Sequence, residues 1–444
     1  MTQLAGNSTR TLGSCLLLLS LCCNTASSQS SEQLAVVQRT YMGLSRQFAP
    51  SPDTFLILFD PGITIDAWAD PNSDQIRTRL SQIADEGLKV QPIRAASGTY
   101  VSSTYEQILR QGLWGQVILD KTQQGQVADA NKILYKDNVK KTPTAGYAQY
   151  IQLKDRYAKA QANWDSTPED KRTETMRAEL DAVRRDLELR GNAPLYESAL
   201  ETLDAISGTR PSSLRDRWIA QLEGSTSVTS GGTRSFPADL IPPLTFDYSS
   251  RWTTVAIDST PPDQNIAALA WPSAYAGPWR FCNSSAFANG DDRQPTKATS
   301  STITLDARAV AVSRAWIDEA VFAYGGWKMK DAGMVISSGD APLTGHASGA
   351  LPIVVTQIIL ARNVAVEGGF SQDERSRIIS QGEAGKCSSF GPFVVTGKTD
   401  FGNRAIPTFP FRGGFYLPGI QVVGVVAKTV VKSPDPDPSH YQWP

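Results

Sequence analysis

Histidine and cysteine, the side chains that most often carry catalysis near neutral pH, are scarce in this chain of 444 residues. There are two histidines, His346 and His440, and of five cysteines only Cys282 and Cys387 lie beyond residue 23. A Ser-His-Asp or Cys-His mechanism would have to run through one of those two imidazoles. His346 sits among glycines and His440 among prolines, and neither context resembles a nucleophile motif. Paired C-x-x-C or H-x-x-x-H elements are missing, which argues against a zinc site of ordinary spacing. Gly382-Glu383-Ala384-Gly385-Lys386 has the look of a phosphate loop, but its glycines are too close together and Cys387 follows the lysine, so it reads as a turn.

Acidic and aromatic residues are what remain. Asp60, Asp66, Asp70 and Asp74 fall in one stretch, and Asn289, Asp291 and Asp292 flank Gly290. Oxygen-rich loops of this kind suit calcium, while turn and helix-cap chemistry accounts for the same residues without it. No other cofactor is expected. A glycosidase needs two carboxylates facing each other across a sugar, and the spacing singles out no pair among 44 acids. Phe409, Phe411, Phe415 and Tyr416 lie within 404–419, a run rich in glycine and proline that reads as an ordered loop presenting rings. Such rings would recognise a glycan or a protein surface; the competing role is core filling. These four are the candidate ligand-binding residues.

The elements that would position them divide the chain in two. Residues 29–223 read as a helical domain, in which 146–190 forms a long antiparallel hairpin. Tyr150, Leu153, Tyr157 and Trp164 make one apolar stripe, and Met176, Leu180, Val183 and Leu187 the other. Ser166-Thr167-Pro168-Glu169 reads as the start of the second helix. Residues 224–235, rich in Gly, Ser and Thr, read as a linker. Residues 236–432 carry short β-branched runs between Gly, Pro, Asn and Asp, which predicts a β-rich domain, a sandwich or an open barrel. Residues 433–444 read as an extended proline-rich tail. The expected class is therefore segregated α+β.

Location is read from the first 28 residues. A single Arg10 precedes the apolar run from Leu12 to Cys23, and Ala26-Ser27-Ser28 offers small residues for cleavage before Gln29. This predicts a signal peptide and a secreted, periplasmic or cell-surface protein, with lipid attachment at Cys22 or Cys23 as a rival. In such a compartment Cys282 and Cys387 would either form one disulfide or remain two separate thiols. Asn283-Ser284-Ser285 is a glycosylation triplet. With 43 basic and 44 acidic residues there is no overall field to draw in nucleic acid. The expectation is an exported, non-enzymatic binding or assembly protein that meets a protein or glycan surface through its β-rich domain. A helical front with a β-rich back resembles some bacterial pore-forming toxins in outline, which makes membrane contact one alternative. A hydrolase working with carboxylates alone is the other.

Overall fold

A computed structural model describes residues 34–49, 51, 53–65, 74–137, 139–208, 210–228, 234–241, 252–271, 279–281, 301–341, 347–368, 370–383, 388–395, 398–401 and 404–444. These residues form a mixed α+β structure with antiparallel sheet, and no closed barrel is found among them. Helices longer than one turn are α1 (34–48), α2 (Asp74–Asp85), α3 (Val101–Gln111), α4 (Lys121–Leu134), α5 (Ala145–Ser166), α6 (Glu174–Leu189), α7 (Ala193–Gly208), α8 (Pro211–Gly224) and α9 (Gln372–Glu383). The chain forms two compact units. One comprises Met1–Arg110, Gln221–Ala323 and Asp331–Pro434, the other Gln111–Ala220, Tyr324–Lys330 and Asp435–Pro444.

The first unit is built on an eight-stranded sheet. Its strands are β1 (Thr54–Ile65), β2 (Asp239–Ile241), β3 (Thr253–Ile257), β4 (Thr302–Ser313), β5 (Ile353–Glu367), β6 (Phe409–Phe411), β7 (Gly414–Leu417) and β8 (Ile420–Thr429). The long strands β4 and β5 pair as its spine. β8 joins the first part of β5 to β1, β7 joins the second part of β5 to β6, and β2 and β3 line the far side of β4.

Phe55-Leu56-Ile57-Leu58-Phe59 in β1 is apolar without alternation because both of its faces are covered. Leu56 and Leu58 join a core with Ile303, Leu305, Val364 and Phe415, closed by Val37, Tyr41 and Leu44 of α1 and Ile378 of α9. Phe55, Ile57 and Phe59 join a second core with Val310, Ile358 and Leu360, closed by Leu80 and Ile83 of α2. Each such side chain contributes about 1.5–3 kcal/mol on burial. The Asp60-Pro61-Gly62 turn signal does not end the strand. Pairing with β8 lapses between Leu58 and Ile63 and then resumes to Ile65. Gly62 is needed there, since its N–H donates to the Pro392 carbonyl at 3.0 Å and a Cβ would collide with that oxygen.

A buried polar junction ties α2 and α3 to the sheet. The Arg314 guanidinium donates to the carbonyls of Ala84 and Val355, both at 2.6 Å, and so caps the C-terminus of α2. Asp85 accepts from the Ser102 N–H at 2.7 Å and the Ser102 hydroxyl at 2.6 Å, serving the first turn of α3. Burial raises the Asp85 pKa against the opposing effect of Ser102 and Arg314, and burial lowers that of Arg314.

In the second unit, α5 and α6 pack together across a short connection and so run antiparallel. The second helix starts later than its sequence implies: Ser166 ends α5, residues 169–171 make a single 3-10 turn, and the Thr173 hydroxyl accepts the Met176 N–H to cap α6. Burial is confined to the base of the hairpin, at Tyr150, Leu153, Val183 and Leu187; Leu180 is only half-buried. There Leu134, Leu153 and Leu187 pack with Tyr150 and Tyr196, and Tyr147 stacks on Tyr150 with centroids 6.0 Å apart. The proline-rich C-terminus is part of this unit rather than a free extension. Tyr441 and Gln442 pair with Val117 and Gln116, and the Asp437 N–H donates to Gly325 O at 3.0 Å.

Candidate functional site

The most chemically varied surface of the sheet unit begins with a fault in strand pairing. β4 and β5 pair as Thr304 with Ala365 and then Asp306 with Arg362, so Asn363 and Val364 together oppose Leu305. This is a β-bulge, a device that bends a strand and re-aims its side chains. Asn363 adopts left-handed backbone, with φ of 52°, a conformation asparagine tolerates better than most side chains. The bulge lies where β5 changes partner, from Gln421 of β8 at Ala361 to Leu417 of β7 at Val364.

Its consequence is a hydrogen-bonded row across four strands. The Tyr416 hydroxyl of β7 donates to Asn363 Oδ1 at 2.9 Å, and Asn363 Nδ2 donates to Asp306 Oδ2 at 2.9 Å. On the other side, the Thr254 hydroxyl of β3 donates to Asp306 Oδ1 at 3.0 Å. Arg362 lies 3.7 Å from the same carboxylate and stacks over the Trp252 ring at 4.3 Å. Burial first, and then the Asp306 charge, raise the Tyr416 pKa, while Arg362 opposes them. The side chains of Tyr416, Asn363, Asp306 and Thr254 are thus oriented by their neighbours before any ligand arrives.

Aromatic rings flank the row on the same face. β6 and β7 form a hairpin whose turn, Arg412-Gly413, has φ of 44° and 77°, the two positive angles of a type I′ turn. That register sets Phe409 opposite Tyr416, and the rings stack with centroids 5.0 Å apart at 28°. Phe411 packs diagonally on Tyr416 at 6.1 Å and beneath the Arg412 guanidinium at 5.1 Å, and Arg412 also meets Glu367 at 3.2 Å. Phe409 is 37 % exposed and Tyr416 half-buried. Phe415, one residue out of phase, points to the opposite face and is fully buried against Phe370 and Phe390 at 5.4 and 6.1 Å. Of the four candidate rings, three therefore share the open face and one fills the core. They are carried by strands, not by a loop.

Asp306, Arg362, Asn363 and Thr254 were not among the residues singled out by sequence. A signal was present: Arg362-Asn363 interrupts the apolar run from Ile353 to Val366, and Asp306 interrupts Ile303 to Val312 in the neighbouring strand. Polar breaks in two long central strands mark a bulge or a shared polar site.

Other sequence candidates come together less well. Ser439, His440 and Asp437 are in contact, with the Ser439 hydroxyl 2.9 Å and Asp437 Oδ2 2.7 Å from the imidazole. Both approach the same nitrogen, Nδ1, so no proton relay runs through the ring. Asp60 lies within β1, and no group of three His, Cys, Asp or Glu among the described residues is placed to hold a metal. The apolar leader with Cys22 and Cys23, Cys282 and Cys387, Asn283, His346, Lys386, Asp66, Asp70 and the 289–292 cluster lie outside the described residues. A groove of about 590 Å³ between Tyr41, Phe55, Ile266 and Leu269 has no charged group on its walls. No helix among the described residues is long and apolar enough to cross a membrane. No protein-family model, curated protein or solved structure matches the chain.

Proposed function

We propose that the chain is an exported, non-enzymatic binding protein that recognises a glycan. The sheet unit acts as its β-rich recognition domain, and the α5–α6 hairpin, exposed beyond its base, as an arm for assembly. One observation carries this reading: three rings and a hydrogen-bonded Tyr416–Asn363–Asp306 row, with Arg362 beside it, share one half-exposed sheet face. Sugars offer C–H faces that stack on rings and hydroxyls that pair with carboxylates, amides and guanidiniums, so a ligand of that class satisfies both halves of the surface. Binding rather than hydrolysis fits the chemistry of the row. Its one carboxylate, Asp306, is already engaged by Thr254, Asn363 and Arg362.

The test is binding of the mature protein to an immobilised oligosaccharide panel, followed by titration calorimetry with any hit. Phe409→Ala removes an exposed ring, so the fold should survive, and affinity should drop about tenfold or more, as for a central aromatic anchor. Retention of binding by Phe409→Ala and Tyr416→Phe alike, or silence across the whole panel, would set the reading aside.

A further inference from the structure

We propose that the ligand is an anionic glycan, and that Arg308 receives its carboxylate or sulfate. The inference rests on the glycan reading above and names the class of sugar that face takes. Arg308 lies two residues beyond Asp306 on β4, hence on the same face of the sheet, opposite Leu360 of β5. It is half-buried at the border where the polar row gives way to the apolar cluster of Val310 and Leu360. The neighbouring arginines are all engaged: Arg362 with Asp306 and Trp252, Arg412 with Glu367 and Phe411. The Arg308 side chain has no hydrogen-bond or ion-pair partner among the described residues, and burial alone lowers its pKa.

A guanidinium partly removed from water without a counter-charge is costly unless something pairs with it. The planar, five-donor fork of arginine matches a carboxylate or sulfate in bidentate geometry. Within the row, Arg308 and Arg362 stand against one carboxylate, Asp306, and Asp306 is occupied by its own donors. The surface therefore carries an uncompensated positive charge at one end and stacked rings at the other. Strand geometry puts the Cα atoms of Arg308 and Tyr416 about 16 Å apart. That is the reach of a short oligosaccharide with an acidic sugar at one end and a ring-stacked sugar at the other.

The experiment compares three trisaccharides of one backbone, galactotriose, trigalacturonate and a sulfated galactotriose, on the full chain by calorimetry. Proteins compared are wild type, Arg308→Met, Arg308→Lys and Phe409→Ala, each checked for an unchanged melting curve. The expected result is that one acidic form binds about tenfold or more tighter than the neutral form. Arg308→Met should erase that preference without weakening neutral binding, and Arg308→Lys should keep part of it. Which acidic form wins distinguishes carboxylate from sulfate. Equal binding of all three sugars, or a preference that survives Arg308→Met, overturns the anionic inference and leaves glycan recognition standing. Loss of nothing in Phe409→Ala, or no binding of any sugar, overturns both.

Discussion

Asn363 is the residue on which the polar row turns, and three substitutions there separate its two contributions. Its side chain accepts from Tyr416 and donates to Asp306, both at 2.9 Å, and its backbone sits at φ 52°. Two half-buried hydrogen bonds are worth about 0.5–1.5 kcal/mol each, so losing both costs roughly 2 kcal/mol. Alanine adds the steric cost of a left-handed backbone, about 1–2 kcal/mol. Glycine avoids that cost but gives up about 0.5–1 kcal/mol through the freedom of its unfolded chain. Asn363→Ala should therefore lose roughly 3–4 kcal/mol and Asn363→Gly roughly 1 kcal/mol less. Asn363→Asp keeps the acceptor for Tyr416 but sets a second carboxylate beside Asp306. The pair's proton affinity rises in the folded state, so this variant should be weakest near neutral pH and recover as pH falls through the carboxylate range. Urea denaturation followed by circular dichroism at pH 7 and pH 4.5 measures all three, reading the transition of the sheet unit. Equal losses in the Ala and Gly variants would show that backbone conformation is not what selects asparagine. Losses below about 0.5 kcal/mol in all of them would show that the row does not form in solution.

The buried junction and the C-terminal turn give two more tests. Arg314→Met leaves the carbonyls of Ala84 and Val355 without their donor, at a cost of about 1–3 kcal/mol for each buried acceptor, and removes a cation whose charge favours ionised Asp85. Adding Asp85→Asn should return part of that loss, and additive losses in the double variant would rule out coupling. Asp437 has its pKa depressed to about 2, first by the Ser439 hydroxyl, then by the Ser439 backbone and His440. A depressed folded-state value means the contribution is present above the ordinary carboxylate pKa of about 3.9 and is lost as pH falls toward 2. Carboxyl NMR titration should find that midpoint and see it rise in Ser439→Ala; an unshifted midpoint in the parent refutes the turn geometry.

The sequence exposes those parts of this structure that local periodicity dictates. The apolar stripes of 146–190 do become two packed helices, because spacings of three and four define a buried line whatever the partner. The stripe does not show how far burial extends. Leu180 continues the pattern but is only half-buried, and the neighbouring core of Leu134 and Tyr196 meets the hairpin at Tyr150, Leu153 and Leu187. Strand length was harder to read. β5 reads as ending near Leu360 because Arg362-Asn363 breaks the apolar run, whereas the backbone passes through the bulge and pairs on to Glu367. The stretch 404–419 reads as a loop from its prolines, yet Pro410 lies in β6, which pairs on one side only, and an edge strand spares the N–H that proline lacks. Least legible was the pairing of β1 with β8, strands separated by more than half the chain, which no local pattern encodes.

Strand pairing also explains why the candidate site was only half visible. Its rings announce themselves by composition, but what sets Phe409, Phe411 and Tyr416 apart from Phe415 is the two-residue turn Arg412-Gly413, which decides which face each ring meets. The polar half depends on β5 changing partners. A regular strand would alternate Arg362 and Asn363 to opposite faces and send one of them into the core among Val364 and Phe415. The bulge lets both meet Asp306, while Val364 and Val366 keep their place in that core. The handover from β8 to β7 falls at this bulge, and β7 is what brings the stacked rings beside it. Polar row and rings are therefore consequences of one topological event, which a variant that restores regular pairing at Asn363 would remove together.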